Sequence, residues 1–252
     1  MTRLICIPAL VPLLLCGCAR GAGPEEEPAP AGGDVTVAEE ENETGKDVEN
    51  KPNAEARKVK EHKSGDWTPG LTEEEKATLF AIARDVLEWS VKGRRGRADM
   101  SAYALTPKLK ADCATFVTFK NRGRLRGCIG CLVAREPMYM SVKTSAENAS
   151  RDSRFRFNPI TEKELPEIDI HVSLLSPMEP IKSLDEFKIG AHGIVIEKGY
   201  NRAVYLPEVA VEQKWTKEQT LSSLSEKAGL RGDAWREGAN FKIFSSVVLS
   251  EE

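Results

Sequence analysis

The chain has 252 residues, of which 40% are hydrophobic and 30% are charged, and its formal net charge is −3. This composition suits one globular domain with some additional polar chain, and it excludes a collagen-like, a wholly disordered or a multispan membrane protein. Residues 19–66 hold 7 Lys/Arg and 13 Asp/Glu, whereas residues 67–252 hold 28 and 26. Because the larger part is nearly neutral, it lacks the basic field that duplex nucleic acid requires, and we expect no nucleic-acid partner.

The N-terminus carries the pattern of an export signal. Residues 1–18 combine a charged start with an apolar stretch that is too short to span a bilayer as a mature helix. They end in Leu-Cys-Gly-Cys, which fits the Leu-x-Gly-Cys pattern at which bacterial lipoproteins receive a diacylglyceryl group. We therefore predict lipidation at Cys18, and an exported protein that is lipid-anchored to a bacterial membrane on its periplasmic or cell-surface face. The alternatives are an ordinary cleaved secretory signal and lipidation at Cys16, which fits less well because Leu15 precedes it.

Residues 19–66 are predicted to form a disordered, acidic tether. The segment has no aromatic side chain and few aliphatic ones, so it cannot bury enough apolar surface to offset the conformational entropy lost on folding. A flexible chain of this length has a root-mean-square reach of roughly 40 Å. The globular domain is therefore placed at residues 67–252.

Two helices are predicted in the first half of this domain. The first begins with a capping box between Thr72 and Glu75, carries apolar side chains at the spacing of one buried face, and ends at Gly93. It is expected to be scaffold, because its apolar stripe contains no unusual polar group. The second helix opens near Pro137, where the missing N–H of proline has no cost, and runs to about Ala149.

A β-hairpin with an unusual second strand is predicted between these helices. Two extended runs, 114–120 and 124–133, flank a three-residue turn at 121–123. The second run contains Gly127 and Gly130, and glycine inside a strand usually marks a bulge or the close approach of a ligand or of another backbone. We expect these two glycines to line a site.

The second half alternates strands with short helices. Residues 168–174 alternate with a period of two, which places His171 on the less apolar face of its strand. A second hairpin is predicted at 193–206, a capped helix at 216–229 and one closing strand at 241–249. No Gly-rich phosphate loop or nucleophile elbow is present. The predicted fold class is therefore α+β, with mixed, largely antiparallel sheets and flanking helices.

The hexapeptide LRGCIG, from Leu125 to Gly130, matches the signature of the AMMECR family, whose prokaryotic members are called AmmeMemoRadiSam system protein A. The resemblance extends over about residues 71–252. It implies a two-subdomain α+β fold in which the signature lines a cleft. The family's biochemical activity is not settled, so the cofactor is unknown. Further blocks that follow the family order include Glu147-Asn148-Ala149, Asp152-x-Arg154-Phe155, Val172-Ser173-Leu174, Leu206-Pro207 and Lys227-Ala228-Gly229.

The resemblance also implies partners. Proteins of the same system resemble a Memo-type dioxygenase-like protein and a radical S-adenosylmethionine enzyme, and the latter performs cytosolic chemistry. Because this chain carries an export signal, direct action with either is not expected. The expected contacts are membrane lipid, through acylated Cys18, and a small-molecule or peptide ligand.

The signature carries candidate chemistry. Cys128 could act as a nucleophile, and the guanidinium of Arg126, on the same strand face by parity, could bind a carboxylate or phosphate. His171 stands where the family often has Glu, and is the candidate base. The predicted catalytic residues are therefore Cys128 and His171, and the predicted binding residues are Arg126, Gly127, Gly130, Asn148, Arg154 and Glu212, the last three by family position.

The cysteines leave several alternatives open. Cys128 and Cys131 form a C-x-x-C pair, the spacing of redox and zinc sites, but only one such pair exists and the chain has 3 His, so no metal site is predicted. A three-residue hairpin turn would place Cys113 opposite Cys131, at a separation that a disulfide accepts. Export supplies an oxidising compartment. We predict a Cys113–Cys131 disulfide that leaves Cys128 free, with Cys128–Cys131 pairing as the alternative.

Two functions from different classes follow. In the first, the domain is a thiol-dependent enzyme that acts on a small anionic or carbonyl-containing substrate. In the second, it is a non-catalytic ligand- or peptide-binding module on a flexible tether, and Cys128 is a small buried residue.

Overall fold

The structure of the protein is a computed structural model, which describes residues 59–93 and 98–251. The predicted signal, Cys18 and most of the predicted tether lie outside these residues. The helices are α1 (Glu73–Val91), α2 (Met138–Ser150), α3 (Pro207–Glu212) and α4 (Lys217–Lys227). The strands are β1 (Val59–Ser64), β2 (Ala114–Asn121), β3 (Arg124–Gly130), β4 (Ile168–Leu175), β5 (Glu179–Ile181), β6 (Gly193–Lys198), β7 (Asn201–Tyr205), β8 (Asn240–Phe244) and β9 (Ser246–Glu251).

The described strands form two antiparallel sheets, which confirms the predicted α+β class. One sheet has the strand order β1-β9-β4-β2-β3, and the other has the order β5-β8-β6-β7. Helices α1 and α2 pack against one face of the first sheet, where they share a hydrophobic core with strands β2, β4 and β9. The capping box between Thr72 and Glu75 is present at the start of α1. None of the helices within the described part of the chain is long and apolar enough to cross a membrane.

The alternation predicted for 168–174 is confirmed in β4. The apolar side chains of this strand are fully buried against α1 and α2, whereas His171 lies half-buried on the opposite face. That opposite face of the sheet turns toward the second sheet. A smaller hydrophobic cluster joins the two sheets there, and it includes Phe116, Leu175, Val195 and Phe244. The two sheets, each with its own core, form the two subdomains that the resemblance implied.

The β2–β3 hairpin is present, but its register differs from the prediction. The turn has two residues, Arg122 and Gly123, with φ of 49° and 76°. Two successive left-handed residues are typical of the type I′ turn that joins tightly paired strands. A bulge then follows, in which Arg126 is the extra residue between two ladder pairs. As a result Thr118 lies opposite Cys128, whereas the predicted register, which pairs Cys113 with Cys131, would place Phe116 there.

Two further boundaries are corrected. Residues 59–64, predicted as part of the tether, form β1 and pair with β9 along their whole length. The closing strand predicted at 241–249 is interrupted at Ser245, so that β8 belongs to one sheet and β9 to the other. Ser245 and Ser176 exchange hydrogen bonds of 2.9 Å at this crossing. Patterns of alternation do not reveal such a crossing, because both halves are apolar and extended.

Candidate functional site

Cys128 lies on the face of the five-stranded sheet that turns away from α1 and α2. Its side chain is half-buried, and its sulfur accepts a hydrogen bond of 3.1 Å from the hydroxyl of Thr118 on the neighbouring strand. The strand registers place five residues in one row across this face, one from each strand. They are Lys60, Ser250, His171, Thr118 and Cys128. The sulfur is therefore at the end of a polar row and is not sealed in aliphatic packing.

The main chain of Cys128 is held by an ion pair. Its N–H donates to Asp152 Oδ2 at 3.1 Å, and its carbonyl accepts from Arg154 Nη2 at 3.0 Å. Asp152 is fully buried and pairs with Arg154 at 2.5 Å. Because β3 is an edge strand, this pair replaces the hydrogen bonds that a further strand would make. The Nη1 atom of Arg154 is buried and has no hydrogen-bond partner among the residues that the structure describes.

The charges around the sulfur act in opposite directions. Burial raises the pKa of the Cys128 thiol, and the Asp152 and Glu208 carboxylates raise it further, whereas Thr118 and Arg154 lower it. The result is a raised pKa, so the thiol form is favoured at neutral pH. Burial alone would also raise the pKa of Asp152, but hydrogen bonds from Arg154 and from the Cys128 N–H hold that pKa below its usual value.

Glu208 is the second residue of α3, and its charge raises the pKa of the Cys128 thiol. It is open to solvent, but the protein around it desolvates the carboxyl and raises its pKa. The carboxylate of Glu212, one turn along α3, raises that pKa further, and His62 on β1 lowers it. A thiol and a carboxyl whose pKa values are both raised, close enough for one charge to act on the other, are typical of candidate catalytic sites.

Arg126 does not take the binding role predicted for it. Its side chain is buried, and Nε donates to Glu164 at 2.9 Å. Nη1 and Nη2 donate to the carbonyls of Asn158 and Pro159, at 3.1 and 3.0 Å. All three nitrogens are therefore engaged inside the domain, and the prediction is corrected to a structural role that ties β3 to the 153–167 segment.

The two glycines of the signature also have a structural explanation. A Cβ on Gly127 would lie 2.0 Å from the carbonyl oxygen of Ala149, near the end of α2. A Cβ on Gly130 would lie 2.2 Å from the carbonyl oxygen of Thr115 and 2.4 Å from Cγ of Phe116. The space that the missing side chains leave is filled by the protein's own atoms. We correct the expectation that a ligand occupies it.

His171, the predicted base, does not contact the thiol of Cys128 directly. His171 is two strands away from Cys128, which corresponds to about 10 Å between Cα atoms at the usual strand spacing, and Thr118 lies between them. Burial and then Lys120 lower the pKa of His171, so it is neutral at pH 7. His171 thus shares the row but is not the direct partner of the thiol.

Asn148 and Glu212, which the resemblance placed in the site, lie on different helices. Asn148 is exposed on α2, the helix that covers the opposite face of the sheet, and its carbonyl accepts from the Arg151 N–H at 3.1 Å. Among the described residues, no hydrogen bond connects the Asn148 side chain to the Cys128 group. Glu212 lies on α3, and its carboxylate raises the pKa of Glu208.

The predicted disulfide is wrong. Cys113, Cys128 and Cys131 are all free thiols, so the alternative Cys128–Cys131 pair is not formed either. With the observed register, the Cys131 N–H donates to the Thr115 carbonyl at 2.9 Å, and Cys113 precedes the paired strand. Cys113 is buried, and burial raises its pKa to about 11. Over 59–93 and 98–251, no group of three His, Cys, Asp or Glu side chains is arranged to hold a metal ion.

Thr118, Glu208 and His62 were not predicted as site residues. Thr118 was missed because the hairpin register was wrong by two positions at Cys128. Glu208 and His62 approach from elements that are remote in sequence, and no local pattern marks them. Asp152 had a signal in the Asp152-x-Arg154 block, but the way this pair holds the Cys128 main chain follows from the tertiary structure.

Comparison with known proteins identifies relatives. The model of the AMMECR1 family matches residues 80–249. A protein of Methanosarcina mazei is 33% identical over 189 residues, which cover 72% of this chain and 94% of that protein. A protein of Thermococcus gammatolerans is 36% identical, over 69% of this chain and 89% of its own length. The crystal structure of the uncharacterized protein PH0010 from Pyrococcus horikoshii is similar with a TM-score of 0.62 at 26% identity, covering 73% of this chain and 95% of that one.

Proposed function

The chain belongs to the AMMECR1 family, and we propose that its domain is a thiol-dependent enzyme acting on a small carbonyl-containing or anionic substrate. The substrate would bind over the polar face of the five-stranded sheet, at the junction of the two subdomains. One observation carries the proposal: the Cys128 sulfur accepts a hydrogen bond from Thr118 while the Glu208 carboxylate lies close enough to act on its pKa. Arg154 adds a cation on the edge side of the sulfur.

In the proposed reaction the Cys128 sulfur attacks the carbonyl carbon of the substrate. The Glu208 carboxylate takes the thiol proton, the new C–S bond forms, and the leaving group departs with a proton; water then hydrolyses the thioester and regenerates the thiol. A base is needed because the thiol form is favoured at rest. The pKa of Glu208 is raised above that of an ordinary Glu, and this direction favours the role, because a general base becomes more effective as its pKa moves toward the working pH. The Thr118 hydroxyl donates to the developing thiolate.

The second candidate is a ligand-binding module without turnover. It is favoured by the same raised pKa of Cys128, which keeps the sulfur a weak nucleophile unless a base removes its proton. The main chain of this residue is also fixed by Asp152 and Arg154, which suits a rigid binding surface equally well.

Hydrolysis of p-nitrophenyl acetate by the full chain separates the two. We expect turnover in the wild type and loss of turnover in Cys128→Ser. In Glu208→Gln the rate of turnover should decrease strongly, and any acetyl group that forms should still be attached to Cys128. Cys131→Ser is the matched control, because this exposed thiol is three residues away and should be dispensable. Acetylation of Cys128 once per chain without turnover would favour the binding module. Turnover that survives Cys128→Ser would refute the enzyme proposal.

We also propose that the protein is exported and lipid-anchored through Cys18. The Leu-x-Gly-Cys pattern and the polar segment after it support this proposal. The test is metabolic labelling with an alkyne fatty acid in a bacterial host, followed by membrane fractionation. We expect the label and the membrane association to be lost in Cys18→Ser and retained in Cys16→Ser. A wild-type chain without label would indicate a cleaved secretory signal.

A further inference from the structure

The polar face of the five-stranded sheet opens with distance from the junction of the two subdomains. On β2 this face carries Phe116, Thr118 and Lys120, because the residues between them, Val117 and Phe119, are fully buried against the helices. Phe116 is buried in the cluster that joins the two sheets, whereas Thr118 and Lys120 are half-buried. The face therefore becomes more open and more polar from Phe116 to Lys120.

Thr118 is the centre of a group of three reactive or charged side chains on this face. Cys128 lies opposite Thr118 on β3, and His171 lies opposite it on β4. Lys120 follows two residues along β2, about 6.8 Å away at the usual rise of a strand. Diagonal neighbours on adjacent antiparallel strands have Cα atoms about 7–8 Å apart. The strand registers therefore bring Lys120 this close to both Cys128 and His171.

The ammonium of Lys120 is available to a ligand. Within residues 59–93 and 98–251 it forms no hydrogen bond or ion pair, although Asp169, which is exposed, lies opposite it on β4. Burial and then the charge of Lys120 lower the pKa of His171, so the imidazole is neutral at pH 7 and has one N–H to donate. One cation beside a neutral donor matches a carboxylate, which carries a single negative charge.

We propose that Lys120 binds the carboxylate of the substrate and so presents a neighbouring electrophilic carbon to the Cys128 sulfur. This inference rests on the proposed function and names its substrate class, a small molecule whose carboxylate is a few bonds from the carbon attacked. Lys120 takes the role that was predicted for Arg126, whose guanidinium is engaged inside the domain. The compact charge of a lysine, on a flexible four-carbon stem, can reach a group that lies over the neighbouring strand.

Alkylation of Cys128 by two reagents that differ in charge tests the inference. Iodoacetate carries a carboxylate and iodoacetamide a neutral amide; with either, the sulfur bonds to the CH2 carbon, iodide leaves and the thiol proton passes to the solvent. The full chain is treated with each reagent at pH 8, and peptide mass spectrometry gives the rate constant at Cys128. The ratio of the two rate constants cancels any change in the pKa of the thiol, because that pKa affects both reactions equally.

The variants change the charge beside Cys128 in both directions. In Lys120→Met, the ratio of iodoacetate to iodoacetamide rate constants should fall about threefold, the effect of a unit charge about 7 Å away at the dielectric of water. Lys120→Arg keeps the charge and should keep the ratio. Asp169→Asn removes the negative charge opposite Lys120 and should raise the ratio. Because Asp169 is exposed, its substitution should have little effect on folding.

Lys60→Met is the matched control, because Lys60 lies in the same row of this face as Cys128 but four strand spacings away, about 19 Å. It removes the same charge and should leave the ratio unchanged. A wild-type ratio in Lys120→Met, an equal fall in Lys60→Met, or a Cys128 that neither reagent alkylates would overturn the inference.

The outcome is separable from that of the proposed function. Alkylation needs no turnover, so a failure of the p-nitrophenyl acetate experiment leaves the ratio at Cys128 readable. That ester carries no free carboxylate, so an unchanged ratio in Lys120→Met would overturn the carboxylate site and leave the result on turnover standing.

Discussion

The substitution Gly127→Ala gives a direct test of what the signature glycine does. The added Cβ would lie 2.0 Å from the carbonyl oxygen of Ala149, whereas ordinary van der Waals contact begins at 3.4 Å. The end of α2 or the strand must therefore move by about 1.4 Å. Ala149 is fully buried in the main core, so the movement would disturb packing on the helix side of the sheet. Because overpacking typically costs about 1–3 kcal/mol, and backbone yields less easily than side chains, we expect a loss of about 3 kcal/mol in the free energy of unfolding.

Thermal and urea denaturation measure this loss. For a domain of this size, about 3 kcal/mol corresponds to a decrease in Tm of roughly 6–12 °C. Gly123→Ala is the control, because this turn glycine has a φ of 76° but open space around its Cβ position, so it should cost only about 1 kcal/mol for the left-handed backbone. Full stability of Gly127→Ala, together with loss of Cys128 reactivity, would refute the packing explanation and restore the ligand explanation.

Three further predictions follow from the same geometry. Arg126→Met should destabilise the domain by about 1.5–3 kcal/mol in urea denaturation, because Glu164 loses its ion pair although it keeps its hydrogen bonds from Thr161; retention of stability would refute the structural role of Arg126. With iodoacetamide at pH 8, peptide mass spectrometry should find Cys131 alkylated first, Cys128 more slowly and Cys113 protected, because Cys113 is buried and its pKa is about 11; early alkylation of Cys113 would contradict the packing. Folding lowers the pKa of Asp152, so its stabilising contribution is present above its unfolded pKa of about 3.9 and is lost as the pH falls through the lower folded value. Asp152→Asn should therefore destabilise the domain at pH 7, and the difference from wild type should shrink as the pH falls below about 3.9.

The parts of the fold that sequence predicts are those with a local physical cause. The capping box of α1 depends on Thr72 and Glu75, three residues apart, and its hydrogen bonds of 3.2 and 2.9 Å are present. The helix ends at Val91, two residues before Gly93, which has a φ of 62°. The period of two in β4 reflects one buried face, and is equally local. Each of these features was predicted because it concerns residues that are neighbours in the chain.

The predicted register of the β2–β3 hairpin was wrong because the register depends on the turn type, which the residue types at 121–123 did not determine. Asn-Arg-Gly reads as a three-residue turn ending in glycine, but Arg122 itself adopts a left-handed conformation with a φ of 49°. No local pattern marks the bulge at Arg126 either, because the side chain of this residue pairs with Glu164, which is 38 residues away. A two-position error followed at Cys128, which removed Thr118 from the predicted site and suggested a disulfide.

The prediction that residues 59–64 belong to the tether was wrong for a different reason. The sequence of β1, VKEHKS, has one apolar residue, because an edge strand exposes its polar side chains and needs little core contact. Its stability comes from pairing with β9 and from the Glu61–Lys76 ion pair. Composition predicted a tether for this segment, because composition does not show that β9 provides a partner strand.

These outcomes change the interpretation of the LRGCIG signature. Arg126 binds Glu164 and two carbonyls, Gly127 admits the end of α2, and Gly130 admits Phe116. Three of the six residues thus maintain the position of the strand, and Cys128 is the one whose reactive group faces the polar row. A signature of this kind need not be a ligand-contacting loop. Its scaffold residues fix the sulfur at the sheet edge, while the groups that would act on a substrate, Thr118 and Glu208, come from outside the signature, which is why a functional test must include them.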